Sequence, residues 1–89
     1  MTIKGYTIQS ISDEGTYYLV NGWEKHKAFW VRKENIEKAI FKNEKDAKAS
    51  LTKLLKIMDD YKNDIFTMCE IDEHNVAHYI YIWKGKNNV

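Results

Sequence analysis

From Ile65 to Trp83, apolar and polar side chains alternate on both sides of a short polar break, Asp72-Glu73-His74-Asn75, and the pattern predicts a β-hairpin with two apolar faces. Pairing Ile65–Ile71 with Val76–Trp83 puts Ile65, Thr67, Cys69, Ile71, Val76, His78, Ile80 and Ile82 on one face. The other face then carries Phe66, Met68, Glu70, Ala77, Tyr79, Tyr81 and Trp83. A small protein with one helix to spare covers one face of a sheet, so the second must meet water, another chain or a ligand.

Upstream, Tyr6–Ile11 alternates polar with apolar residues and stops at the turn cluster Ser12-Asp13-Glu14-Gly15, which reads as a first strand. Thr16–Val20 is β-branched and aromatic and ends at Asn21-Gly22, the dipeptide suited to a type I′ hairpin. Residues Trp23–Lys27 either begin the third strand or form a wider loop before Ala28–Arg32. In Glu34–Phe41, Ile36, Ala39 and Ile40 have the spacing of a short helix.

Asn43 can cap the next helix, with Glu44 and Asp46 in its first turn where negative charge suits the dipole. Ala47, Leu51, Leu54, Leu55 and Met58 then make one apolar stripe, and Lys45, Lys48, Lys53 and Lys56 occupy other faces. Asp59 and Asp60 oppose the dipole and suggest that the helix is already unwinding there.

The predicted fold is therefore α+β: an antiparallel sheet made of a three-stranded N-terminal meander and a C-terminal hairpin, with one main amphipathic helix on one face, in the order βββ(α)αββ. The Leu stripe is matched most simply by the aliphatic side of the hairpin, which leaves the aromatic side open; periodicity alone also permits the reverse. Residues 1–84 are expected to form a single domain and 85–89 a flexible tail.

Composition narrows the classes of function. Fourteen basic against thirteen acidic side chains leave a formal charge of +1, too small to draw the chain onto nucleic acid or an anionic membrane by its global field. All the basic residues but Arg32 are Lys, which disfavours bidentate reading of bases or phosphates. Cys69 is the only cysteine, so an intramolecular disulfide is impossible and a reducing, cytoplasmic setting is expected. Neither a signal-peptide segment nor a stretch long enough to span a membrane is evident, and no glycine-rich phosphate loop or cofactor motif is present.

Three constellations could carry chemistry. Cys69 and His78 fall opposite each other across the predicted hairpin, the arrangement that would make a thiolate, but their isoleucine neighbours suit a core better than a nucleophile. His74 and His78, with Asp72, Glu73 or Cys69, fit no recognised metal spacing and read as a polar loop. Trp23, Lys25, Lys27, Trp30 and Arg32 interleave aromatic and basic groups in the manner of a single-strand nucleic-acid site.

A larger signal comes from the aromatic side of the hairpin, since twelve aromatic residues among 89 exceed what one helix covers. Phe66, Met68, Tyr79, Tyr81 and Trp83 are then the expected contact residues for a protein partner, and a homodimer is the least demanding way to cover them.

The segment Trp30-Val31-Arg32-Lys33-Glu34-Asn35-Ile36-Glu37-Lys38-Ala39-Ile40-Phe41-Lys42-Asn43-Glu44-Lys45-Asp46-Ala47, followed by Leu51 and Leu54, resembles small proteins encoded by phages and prophages of Gram-positive bacteria. The resemblance carries no catalytic residues. It implies an accessory role, in which a small protein binds a host or phage macromolecule and alters its activity, as anti-CRISPR-like inhibitors do. The expected function is thus a non-enzymatic protein-binding module without cofactors, with single-stranded nucleic-acid binding through residues 23–33 as the alternative.

Overall fold

The alternation at the N-terminus makes a ten-residue strand, β1 (Ile3–Ser12), which turns through Asp13 and Glu14 into β2 (Gly15–Leu19). In the computed structural model, residues 2–58 and 65–83 are described, the last of them by its backbone alone. After β2 the chain passes through a 3-10 turn, η1 (Trp23–Lys25), to a two-residue strand, β3 (Trp30–Val31), and a 3-10 helix, η2 (Lys33–Ala39). Helix α1 (Glu44–Ile57) follows, then β4 (Phe66–Asp72) and β5 (Ala77–Trp83). The fold is α+β, with all five strands in one antiparallel sheet ordered β3-β2-β1-β4-β5.

Helix α1 starts where its cap predicts: the Asn43 side chain accepts a hydrogen bond from the Asp46 amide at 2.8 Å. Its stripe of Ala47, Leu51, Leu54 and Leu55 is buried, and Met58 closes the last turn by donating its amide to the Leu54 carbonyl. The expected unwinding at Asp59 and Asp60, and the tail at 85–89, lie outside the described residues.

Asn21-Gly22 does not make a tight hairpin. Gly22 adopts a left-handed conformation (φ 73°) and leads into the 3-10 turn because Trp23 is drawn into the core, where it packs edge-on against Phe29 and its indole N–H donates to Ser50 Oγ at 2.9 Å. This is the wider of the two loops the sequence permits, and it shortens β3 to two residues.

Which face of the sheet meets α1 is the reverse of the simplest expectation. Ile8, Leu19, Phe66 and Met68 form the helix-side core with Trp30, Ile80 and Tyr81 packed at its margin. The reason lies in β1, where Ile8 pairs with Met68 and Tyr6 with Glu70, so the apolar side of β1 and the aromatic side of the hairpin coincide. The other side of β1 carries Gly5, Thr7 and Gln9, which offer the Leu stripe little apolar area.

The short helix expected in Glu34–Phe41 is η2, and it packs on the opposite face. In a 3-10 helix residues three apart eclipse, so Ile36 and Ala39 point the same way and are buried against Tyr18 and Ile71. From there the chain crosses the sheet at Phe41, which exchanges two backbone hydrogen bonds with Tyr6 (2.8 and 2.7 Å) in the space beside β1 that β2 leaves unpaired. Gly5 permits that crossing, since a Cβ there would collide with the Phe41 carbonyl and the Ile40 side chain. Among the described residues, no helix is long and apolar enough to cross a membrane.

Gly5→Ala is therefore expected to destabilise the fold by about 1–3 kcal/mol through overpacking against backbone. In urea unfolding that loss should exceed the roughly 1 kcal/mol expected for removing the helix cap with Asn43→Ala.

Candidate protein-binding face

The face turned away from α1 is half covered. At one end η2 lies over Tyr18 and Ile71, with Ala77 beside them. Beyond it the strand register sets the side chains in rows: Thr16 beside Ile11, then Tyr18, Gln9, Thr67 and Ile82, then Thr7, Cys69 and Tyr79; Tyr18, Thr7 and Cys69 are buried within these rows, and the others are partly or largely exposed around them. Alternation puts Ile65, just ahead of β4, on the same side as Thr67. Ile11 is 66% exposed, Ile65 55%, Tyr79 64% and Ile82 50%, so among the described residues four of the six exposed large hydrophobic side chains share this half-face. No strand position in these rows carries a charged residue, in a chain of which 30% is charged; Lys4, in the bulge at the η2 end, pairs with Glu37.

A bulge in β5 produces this distribution. Met68 pairs with Tyr81 and Cys69 with Tyr79, leaving Ile80 as an extra residue. Ile80 and Tyr81 both pack toward the helix-side core, and the alternation restarts so that Tyr79 and Ile82 look the other way. The expected contact residues are thereby divided. Phe66 and Met68 are fully buried under α1, Tyr81 is partly buried with its hydroxyl 3.4 Å from Glu44, and Tyr79 stands on the open side. Trp83 pairs with Phe66 through its backbone, and its side chain lies outside the described residues. Ile11, Ile65 and Ile82 were not among the expected contacts; Gln9 and Thr67, polar positions beside Ile11, Ile65 and Ile82, are the sequence signal that this side of the sheet is only partly covered.

Cys69 and His78 do not meet. The hairpin pairs Ile71 with Ala77, one residue later than the sequence pattern suggests, and this shift places Cys69 opposite Tyr79 and His78 opposite Glu70. Cys69 is 2% exposed, and burial pushes its thiol up to about 11, the opposite of nucleophile activation. His78 instead engages Asp72, its Nε2 lying 2.7 Å from Oδ2.

The other oxygen of Asp72 accepts the amides of His74 (2.8 Å) and Val76 (3.0 Å), which closes the hairpin tip and supports Asn75 at φ 63°. Thr2 and Lys4 tie this tip to β1 through Glu73 and Asn75. The His78 contact and then the Val76 amide hold the Asp72 carboxyl at about 2, below its ordinary 3.8. Among the described residues, no group of three His, Cys, Asp or Glu side chains could hold a metal ion.

The basic and aromatic residues of 23–33 are separated rather than gathered. Trp23 is buried, with Lys53 Nζ 5.5 Å from its ring centre, and Trp30 stacks on Phe66 at 5.8 Å with the rings nearly parallel. Lys25 and Lys27 are exposed on the loop, while Arg32 lies over Tyr17 and donates to its hydroxyl at 2.9 Å. The two indoles that would stack on bases are thus engaged in packing the protein itself.

Two outcomes follow for these groups. Because the Asp72 carboxyl is held lower in the folded chain than in the unfolded one, its stabilising contribution is full above about pH 4 and is lost as pH falls toward 2. Urea unfolding between pH 5 and pH 2 should show a loss of stability in that window that Asp72→Asn reduces. Native Cys69 should react with iodoacetamide at neutral pH at least about ten-fold more slowly than in the urea-unfolded chain, followed by mass spectrometry.

No family model, curated protein or solved structure matches this chain.

Proposed function

We propose that this chain is a non-enzymatic protein-binding module that acts through the open half of its sheet. The observation that carries the reading is the concentration of Ile11, Ile65, Tyr79 and Ile82 on an uncharged surface of an otherwise highly charged small protein. Exposed apolar surface of this kind is costly in water and characteristic of contact surfaces, and a broad aromatic ring such as that of Tyr79 supplies contact area at low entropic cost. The order βββ(α)αββ, with a three-stranded N-terminal meander, supports it further, because a single long helix covers one face and the short helix covers half of the other. The phage-type resemblance of residues 30–47 supports an accessory or inhibitory role in the cytoplasm, where occupying a partner's surface is itself the activity.

Site-specific photo-crosslinking in cells tests this. With p-benzoylphenylalanine in place of Tyr79, illumination should give a covalent adduct with a polypeptide, which Ile82→Lys should abolish. The same probe in place of Thr52, exposed on the outer side of α1, should give none. Failure to crosslink from position 79 would count against protein binding.

A further inference from the structure

We infer that the open half-face is closed by the same half-face of a second copy of this chain, sheet against sheet about a two-fold axis. The inference rests on the protein-binding reading above and names the partner. A two-fold interface sets each surface against itself, so charge near the axis meets like charge; the rows of the open half carry no charged strand position and satisfy that condition. The alternative covers within the chain are poor in apolar side chains: residues 59–64 read Asp-Asp-Tyr-Lys-Asn-Asp and 84–89 read Lys-Gly-Lys-Asn-Asn-Val.

The area is also adequate. At their observed exposures Ile11, Ile65, Tyr79 and Ile82 present roughly 450 Å² of largely apolar surface. Protein interfaces are about 56–65% apolar, so this corresponds to roughly 700–800 Å² on each copy, the size of a standard stable interface.

Register suggests how the two faces meet. With the axis running across the strands along the row of Gln9, Thr67 and Ile82, each of these residues lies over its own counterpart and the two η2 helices fall at opposite ends of the pair. Gln9 and Thr67, paired across β1 and β4, then face their counterparts, and an amide and a hydroxyl can donate and accept across the gap. Both sheets twist, so their strands would cross at about 30°.

Light scattering and sedimentation equilibrium on the full chain decide the matter. The wild-type protein should be a dimer at micromolar concentration. Ile11→Lys and Ile82→Lys should each raise the dimer dissociation constant at least ten-fold without lowering the thermal midpoint of the monomer, whereas Ile57→Lys, exposed on α1, should leave it unchanged. Mixing the Ile82→Lys chain with an Ile82→Glu chain should recover part of the loss as a heterodimer, since the axis sets position 82 against itself. A protein that stays monomeric near 1 mM, or a dimer indifferent to Ile11→Lys and Ile82→Lys, overturns the inference. If the chain is monomeric while position 79 crosslinks to a different polypeptide, the second copy is wrong and protein binding stands; if it is monomeric and position 79 crosslinks to nothing, both readings fall.

Discussion

The pairing of Ile8 with Met68 at the centre of the sheet is the constraint on which the rest of the architecture depends. It joins the two ends of the chain, separated by sixty residues, and it aligns the apolar side of β1 with Phe66 and Met68. Once that alignment is set, the Leu stripe of α1 can reach a continuous apolar surface on one side only. The opposite side receives Gly5, Thr7 and Gln9, and its character follows: small enough at Gly5 for the Phe41 backbone to pass, apolar enough at Ile71 and Tyr18 to hold η2, and open beyond.

That dependence also explains how far the sequence could be read. The long helix, its Asn43 cap and its buried stripe are local properties, written in spacing and in one side chain, and they were legible. So were the α+β class and a short helix before α1. The choice of face was not, because it depends on a contact between residues 8 and 68, and both sides of the hairpin are apolar enough to serve. Periodicity within one segment says which residues share a side; only register between segments says which side is inside.

The expected contact residues are divided between the two faces for a smaller reason with large effect. Strict alternation groups Tyr79 with Tyr81, and two local events undo it: the hairpin pairs one residue later than its polar break suggests, and Ile80 is inserted as a bulge. Each reverses the side that later residues face. The first separates Cys69 from His78, and the second splits the aromatic row. The cause of the first is visible at the tip, where Asp72 belongs to the strand rather than the loop because its carboxylate collects two amides and His78. An Asp at the edge of a polar break reads as turn from composition alone, whereas here it satisfies the turn from within the strand.

A chain of 89 residues also limits what can be covered. Its one long helix is committed to one side of the sheet, and the seven residues of η2 reach only Tyr18, Ile71 and their neighbours before the chain must cross at Phe41 to begin α1. Extending η2 over Ile11 and Ile82 would pull the chain away from the gap beside β1 and forfeit the Phe41–Tyr6 pairing. The open half is thus a consequence of where the crossing occurs, and its exposed positions could all be polar, as Gln9, Thr16 and Thr67 are. Isoleucine at 11, 65 and 82 and tyrosine at 79 are not required by the packing of the described core, which lies on the other side of the sheet or under η2. Four large apolar side chains gathered on an uncovered part of the sheet, rather than scattered singly, are the feature on which the proposed contact surface rests.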